Sequence, residues 1–157
     1  MIKPPYYHIG IVVYNLEEAI EHYSNLLEVK FTEATDTVLC VENPSTRQTE
    51  NLQVIAAYSR SRPPYLELIQ AGGSGIFSEK NTGHILYFGI WESDLEGRIE
   101  KLTEQGMGID ALIRPACDKP PTAVITAPDK MGIRVEYLST SLRLATEAWV
   151  VTGKYPL

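Results

Sequence analysis

The chain has 157 residues, of which 44% are hydrophobic and 22% charged, and its net charge is −6. That length suits one domain with a real core. The acidic balance argues against a nucleic-acid groove, which needs clustered Lys and Arg, and no apolar run approaches the roughly 20 residues that span a bilayer. The opening "MIKPPYY" lacks the apolar region of a secretory signal. Cys40 and Cys117 are far apart and form no CxxC, so they read as two buried-type thiols in a reducing cytoplasm rather than as a zinc or redox pair.

Tyr7 to Val13 is a continuous β-branched run and predicts a buried strand. Asn15 then opens a helix, with Glu18 three residues on as a loose capping box. Leu16, Ala19, Ile20, Tyr23 and Leu27 recur at helical spacing, which gives that helix one buried face. Lys30 to Glu42 reads as extended, and "NPSTRQTEN" as a polar loop. "LQVIAAYSR" and "PYLELIQ", separated by a Pro-containing turn, predict an antiparallel pair. The Gly-rich "AGGSGIFSEKNTG" is a crossover, after which the pattern begins again. "GHILYFGIW" is a second apolar strand, and "SDLEGRIEKLTEQG" a helix with Ser93 as N-cap, Glu96 completing the box and Gly106 as its stop. Ile109 to Arg114, "TAVITAP" and "GIRVEYL" are further strands. In the tail, residues 139–157, "SLRLATEAW" is a helix candidate.

Strand, helix and three strands thus occur twice, which predicts an α+β fold of two βαβββ modules, at about 6–70 and 84–138, in a single domain over 1–138. Each module carries one histidine in its opening strand and one glutamate in its closing strand. His8 and Glu67 are 59 residues apart, and His84 and Glu136 are 52 apart. A lone histidine in an apolar strand is ordinarily a hydrogen-bonded core residue, and a lone glutamate an outward-facing one. The duplication carries the other reading: two imidazoles and two carboxylates converging inside a curved sheet would hold a divalent metal. His22, on the first helix beside Glu18 and Glu21, reads as a surface residue.

"HIGIVVYNLEEAIEHYSNLL", "YLELI", "GHILYFGIWESDLEGRIEKLTEQG" and "GIRVEYL" resemble the vicinal oxygen chelate superfamily of glyoxalase I, methylmalonyl-CoA epimerase, extradiol dioxygenases and bleomycin-resistance proteins. The resemblance covers about Tyr6 to Leu138 and is nearest the epimerase and glyoxalase I branches. It implies a cupped mixed sheet around a metal, with His8, Glu67, His84 and Glu136 as ligands. The ion would be zinc, nickel, cobalt or manganese.

It further implies an isomerase or epimerase that abstracts a proton α to a carbonyl, through a metal-stabilised enolate. A CoA thioester is one candidate substrate. Glu50 would be the first base, at the epimerase spacing from Glu67, and Glu136 a second acid/base if it loosens from the metal. Two alternatives stand beside this: a glyoxalase I-like lyase, favoured by Glu67, and a non-catalytic ligand-binding or resistance protein of the same fold. A homodimer in the cytoplasm is implied, with a small carbonyl substrate and neither nucleic acid nor membrane as partner. Anionic substrates would want cations at the mouth, for which Arg47, Arg60, Arg62 and Lys80 stand in loops. "RPACDKPP" is a candidate rim, and Trp91 and Trp149 are candidate pocket walls.

Overall fold

The computed structural model describes residue 2 and residues 5–156. The first module consists of β1 (His8–Val13), α1 (Leu16–Leu27), β2 (Thr35–Asn43), β3 (Gln48–Tyr58) and β4 (Tyr65–Gln70). The second has β5 (Ile85–Glu92), α2 (Leu95–Glu104), β6 (Ile109–Arg114), β7 (Ala123–Thr126) and β8 (Arg134–Ser139), after which α3 (Arg143–Thr152) lies in the tail. The expected double βαβββ order is therefore present.

The eight strands close into a barrel in the order β1-β4-β3-β2-β6-β7-β8-β5. Each opening strand runs parallel to its own module's closing strand, β1 with β4 and β5 with β8. The modules join antiparallel at two seams, β1 with β5 and β2 with β6. A cupped sheet thus becomes a closed one, which leaves no long free edge. Inside it Val12, Leu52, Ile69, Leu86, Ile113 and Ile125 are among the buried core residues. Outside, α1 packs Leu16, Ala19, Ile20 and Tyr23 against Ala57 and Leu68.

Local chemistry explains the helix starts. Asn15 accepts from the Glu18 backbone N–H at 3.1 Å, as its position at the end of β1 predicts. The second helix begins one residue later than Ser93 suggested. Asp94 is the cap and accepts from the Gly97 N–H at 3.0 Å, because a charged oxygen one residue nearer satisfies the free amide. Leu27, counted with the buried face of α1, is exposed in the last turn. "NPSTRQTEN" is only partly a loop: β3 already starts at Gln48, and Glu42 pairs with Thr49 in a tight hairpin.

The cysteines depart furthest from expectation. Cys40 on β2 and Cys117 in the β6–β7 loop are joined as a disulfide, with Cα atoms 5.2 Å apart. The β2–β6 seam brings together residues 77 apart in sequence, and strand pairing of that range cannot be read from spacing. Disulfides are rare in reducing compartments, so the case for a cytoplasm built on two free thiols falls away. No described helix is long and apolar enough to cross a membrane.

Candidate functional site

β1 alternates buried and half-buried positions, and His8, Gly10 and Val12 take the inward face. Parallel pairing sets Gly10 beside Glu67 on β4, and the equivalent pairing sets Gly89 on β5 beside Glu136 on β8. Across the β1–β5 seam, His8 faces Gly89 and Gly10 faces Tyr87. Each glycine makes room for the opposite ring, since a Cβ at Gly89 would overlap the His8 imidazole and one at Gly10 the Tyr87 ring. Four polar side chains thus meet inside the barrel: His8, Glu67, Tyr87 and Glu136.

His8 is fully buried, and its Nε2 lies 3.0 Å from Glu67 Oε2 and 3.1 Å from Glu136 Oε1. Neither approach has hydrogen-bond geometry, and Nδ1 likewise has no partner among the described residues. Unsatisfied buried nitrogens are costly. Burial favours the neutral ring, but the Glu67 charge and the contacts with both carboxylates outweigh it and push the His8 pKa up to about 9. Burial also raises the Glu136 carboxyl above its ordinary value despite the neighbouring imidazole. The Tyr87 hydroxyl donates to Glu67 Oε2 at 2.9 Å. Burial, then the charges of Glu136 and Glu67, push this phenol well above its usual pKa, so it stays a neutral donor.

One donor atom each from His8, Glu67 and Glu136 lies within 4.8 Å of the others. An imidazole nitrogen and two carboxylate oxygens that converge without satisfying one another suit a divalent cation. These three residues fit such an ion, with Tyr87 beside them as a neutral oxygen donor.

His84, expected as the fourth ligand, is not brought to this cluster. It is exposed, precedes β5, and lines a surface groove with His22 and Tyr14. Its expected place belongs to Tyr87, three residues on, an odd offset that changes the face of a strand. A signal for this was present: His8-Ile9-Gly10 in β1 is matched by Tyr87-Phe88-Gly89 in β5, ring residue and glycine at the same spacing. Glu50, expected as a base, is half-buried on β3 and borders a different pocket, with Ile76 and Asp110. His22 is exposed, as expected.

Glu67, Tyr87 and Glu136 of the cluster line a cavity of about 320 Å³ walled by apolar side chains from both modules, among them Leu39, Val54, Ile69, Phe77, Ile113 and Leu138. The tail completes it. Leu142, Thr146, Trp149 and Tyr155 line the same space, so residues without a counterpart in the duplicated pattern form part of the cavity wall. Pro115, from the expected rim segment, also lines it, whereas Trp91 stacks on Tyr7 at 4.0 Å and serves packing. None of Arg47, Arg60, Arg62 or Lys80 is a lining residue.

A family model described as the glyoxalase/bleomycin resistance protein/dioxygenase superfamily matches residues 7–120. Among curated proteins none matches the chain. Solved structures share the fold at low identity. A hypothetical protein from Bacillus halodurans is 19% identical, with a TM-score of 0.56 over 85% of this chain and 92% of its own. A variant of Streptomyces coelicolor methylmalonyl-CoA epimerase bound to 2-nitronate-propionyl-CoA is 15% identical, with a TM-score of 0.57 over 86% and 93%. The Mycobacterium tuberculosis methylmalonyl-CoA epimerase is 19% identical, with a TM-score of 0.54 over 93% and 97%. With its doubled module closed around an inward-facing His and Glu cluster, and a matching model over most of its length, the chain belongs to the glyoxalase/bleomycin resistance protein/dioxygenase superfamily.

Proposed function

We propose that this protein is an isomerase- or epimerase-like enzyme that moves a proton at a carbon α to a carbonyl, with His8, Glu67 and Glu136 holding a divalent cation. The supporting observation is the convergence of these three side chains, unsatisfied by one another, with Glu67 and Glu136 lining an apolar cavity. A bound divalent ion would supply Lewis-acid polarisation of a carbonyl oxygen.

The chain's own residues divide the remaining work. Tyr87 anchors Glu67 through its hydroxyl, which fixes that carboxylate's orientation. Glu136 lacks such a donor among the described hydrogen bonds. Held by the cation alone, its carboxylate is the ligand that can loosen and act as the acid/base. The apolar walls exclude water from the exchanging proton. Glu50 has no part in this scheme because it does not border the cavity.

The test is α-proton exchange in deuterated buffer, followed by NMR on protein of known metal content. Glu136→Gln is expected to slow exchange about 100-fold or more, and Glu50→Gln to leave it unchanged. Exchange that survives Glu136→Gln would sink the assignment. A second reading, a non-catalytic binding protein, is favoured by Tyr87 standing where a second imidazole was expected. Tight ligand binding with no exchange for any enolisable carbonyl would select it. A glyoxalase I-like lyase would instead convert a hemithioacetal.

A further inference from the structure

We infer that the cavity takes a neutral, largely apolar carbonyl compound and discriminates against ligands that carry an anion into it. This rests on the proposed site and narrows its substrate class.

Charge is the first ground. The cavity's charged lining residues are Glu67 and Glu136, and no Lys or Arg is among its described lining. No side chain of the lining therefore supplies positive charge to an anion.

The neighbouring cations each stand beside a carboxylate or carbonyl outside the lining. Arg114, next to lining residues Ile113 and Pro115, faces Glu42 at 3.1 Å. Arg143, next to Leu142, faces Glu147 at 2.8 Å, and Lys154, next to Tyr155, lies 3.8 Å from Glu33. Arg60 donates to the Val150 and Val151 carbonyls at 3.1 and 2.7 Å. An anion entering this space would lose its water without gaining a cationic side chain as partner.

Shape is the second ground. At about 320 Å³ the cavity sits at the small end of ligand pockets, roughly 300–1,000 Å³. Trp149 and Tyr155 of the tail supply aromatic wall against the Tyr58 side, and Trp149 is locked in place by its indole N–H bonding the Glu33 carbonyl at 2.9 Å. Thr35, Thr37 and Thr146 offer uncharged hydroxyls. Such a wall suits an aromatic or aliphatic ketone.

The experiment compares butyrophenone with 3-benzoylpropionate, the same ketone bearing a carboxylate in place of the terminal methyl. Binding to the full chain, metal-free and loaded with zinc, is read by calorimetry and by tryptophan fluorescence, to which Trp149 in the cavity wall contributes. Butyrophenone is expected to bind at least tenfold more tightly in both states. Thr37→Arg, which adds a cation at an exposed lining position, is expected to narrow that ratio by fivefold or more. Equal binding, preference for the anion, or no binding of butyrophenone overturns the inference. Proton exchange on the same two ketones separates the two claims. Exchange with anion preference would spare the proposed reaction and sink the substrate class. Neutral preference without exchange would do the reverse.

Discussion

Gly10 and Gly89 show how much the centre of this site depends on what is absent from a side chain. Each lies opposite a ring of the other module, so Gly89→Ala forces the His8 imidazole out of position or spreads the β1–β5 seam. The expected cost is about 1–3 kcal/mol, as for overpacking, together with loss of divalent metal, read by denaturant unfolding and elemental analysis. Tyr87 offers the complementary test. If it occupies the place of a second imidazole, Tyr87→His completes a set of two histidines and two glutamates. Chelator competition should then show metal affinity raised about tenfold or more, the scale on which a metal's immediate surroundings act. His84→Ala should leave affinity unchanged, because that side chain points into solvent on another face.

At the scale of elements, α3 decides what the barrel can hold. Its buried Thr146, Trp149 and Val150 face the molecule, and its C-terminal carbonyls would be left open without Arg60. Gly153 adopts a left-handed conformation (φ 83°) and returns its N–H to the Trp149 carbonyl. Charged donors are worth more than neutral ones, but Arg60 is exposed and solvent weakens the effect. Arg60→Ala should therefore cost only about 1 kcal/mol, a fall of roughly 2–4 °C in Tm for a chain of this size. Scanning calorimetry measures it. Tryptophan fluorescence should shift with the loosened wall, and a spectrum unchanged from the parent would detach α3 from the cavity.

At the scale of the whole molecule, the two modules meet at two seams and share one interior core. The β2–β6 seam carries the disulfide, and the β1–β5 seam carries the site. Cross-linking residues 77 apart restricts the unfolded chain. Replacing both cysteines by alanine should lower unfolding stability by roughly 2–4 kcal/mol, seen as a lower denaturant midpoint. Ketone binding should persist, since neither cysteine lines the cavity. A midpoint unchanged on reduction would mean that strand pairing alone fixes the β6–β7 loop.

The doubled βαβββ order, the inward His8, and the two glutamates ending in equivalent strands were legible in the sequence by themselves. Period-2 burial, helix caps and repeated spacing are local properties of the chain. Register is not. Whether His84 or Tyr87 met the cluster depended on which residue faced Gly10 across the β1–β5 seam, a contact between segments far apart in sequence. The placing of Glu50 in a separate pocket, the Cys40–Cys117 bond and the wall formed by the tail are the same kind of fact. Sequence determined the order of the elements and most of their buried faces, though not those of Leu27 or His84. Only barrel closure decided which residues would share one small, apolar space, because pairing across a seam is set by long-range packing that no local pattern records.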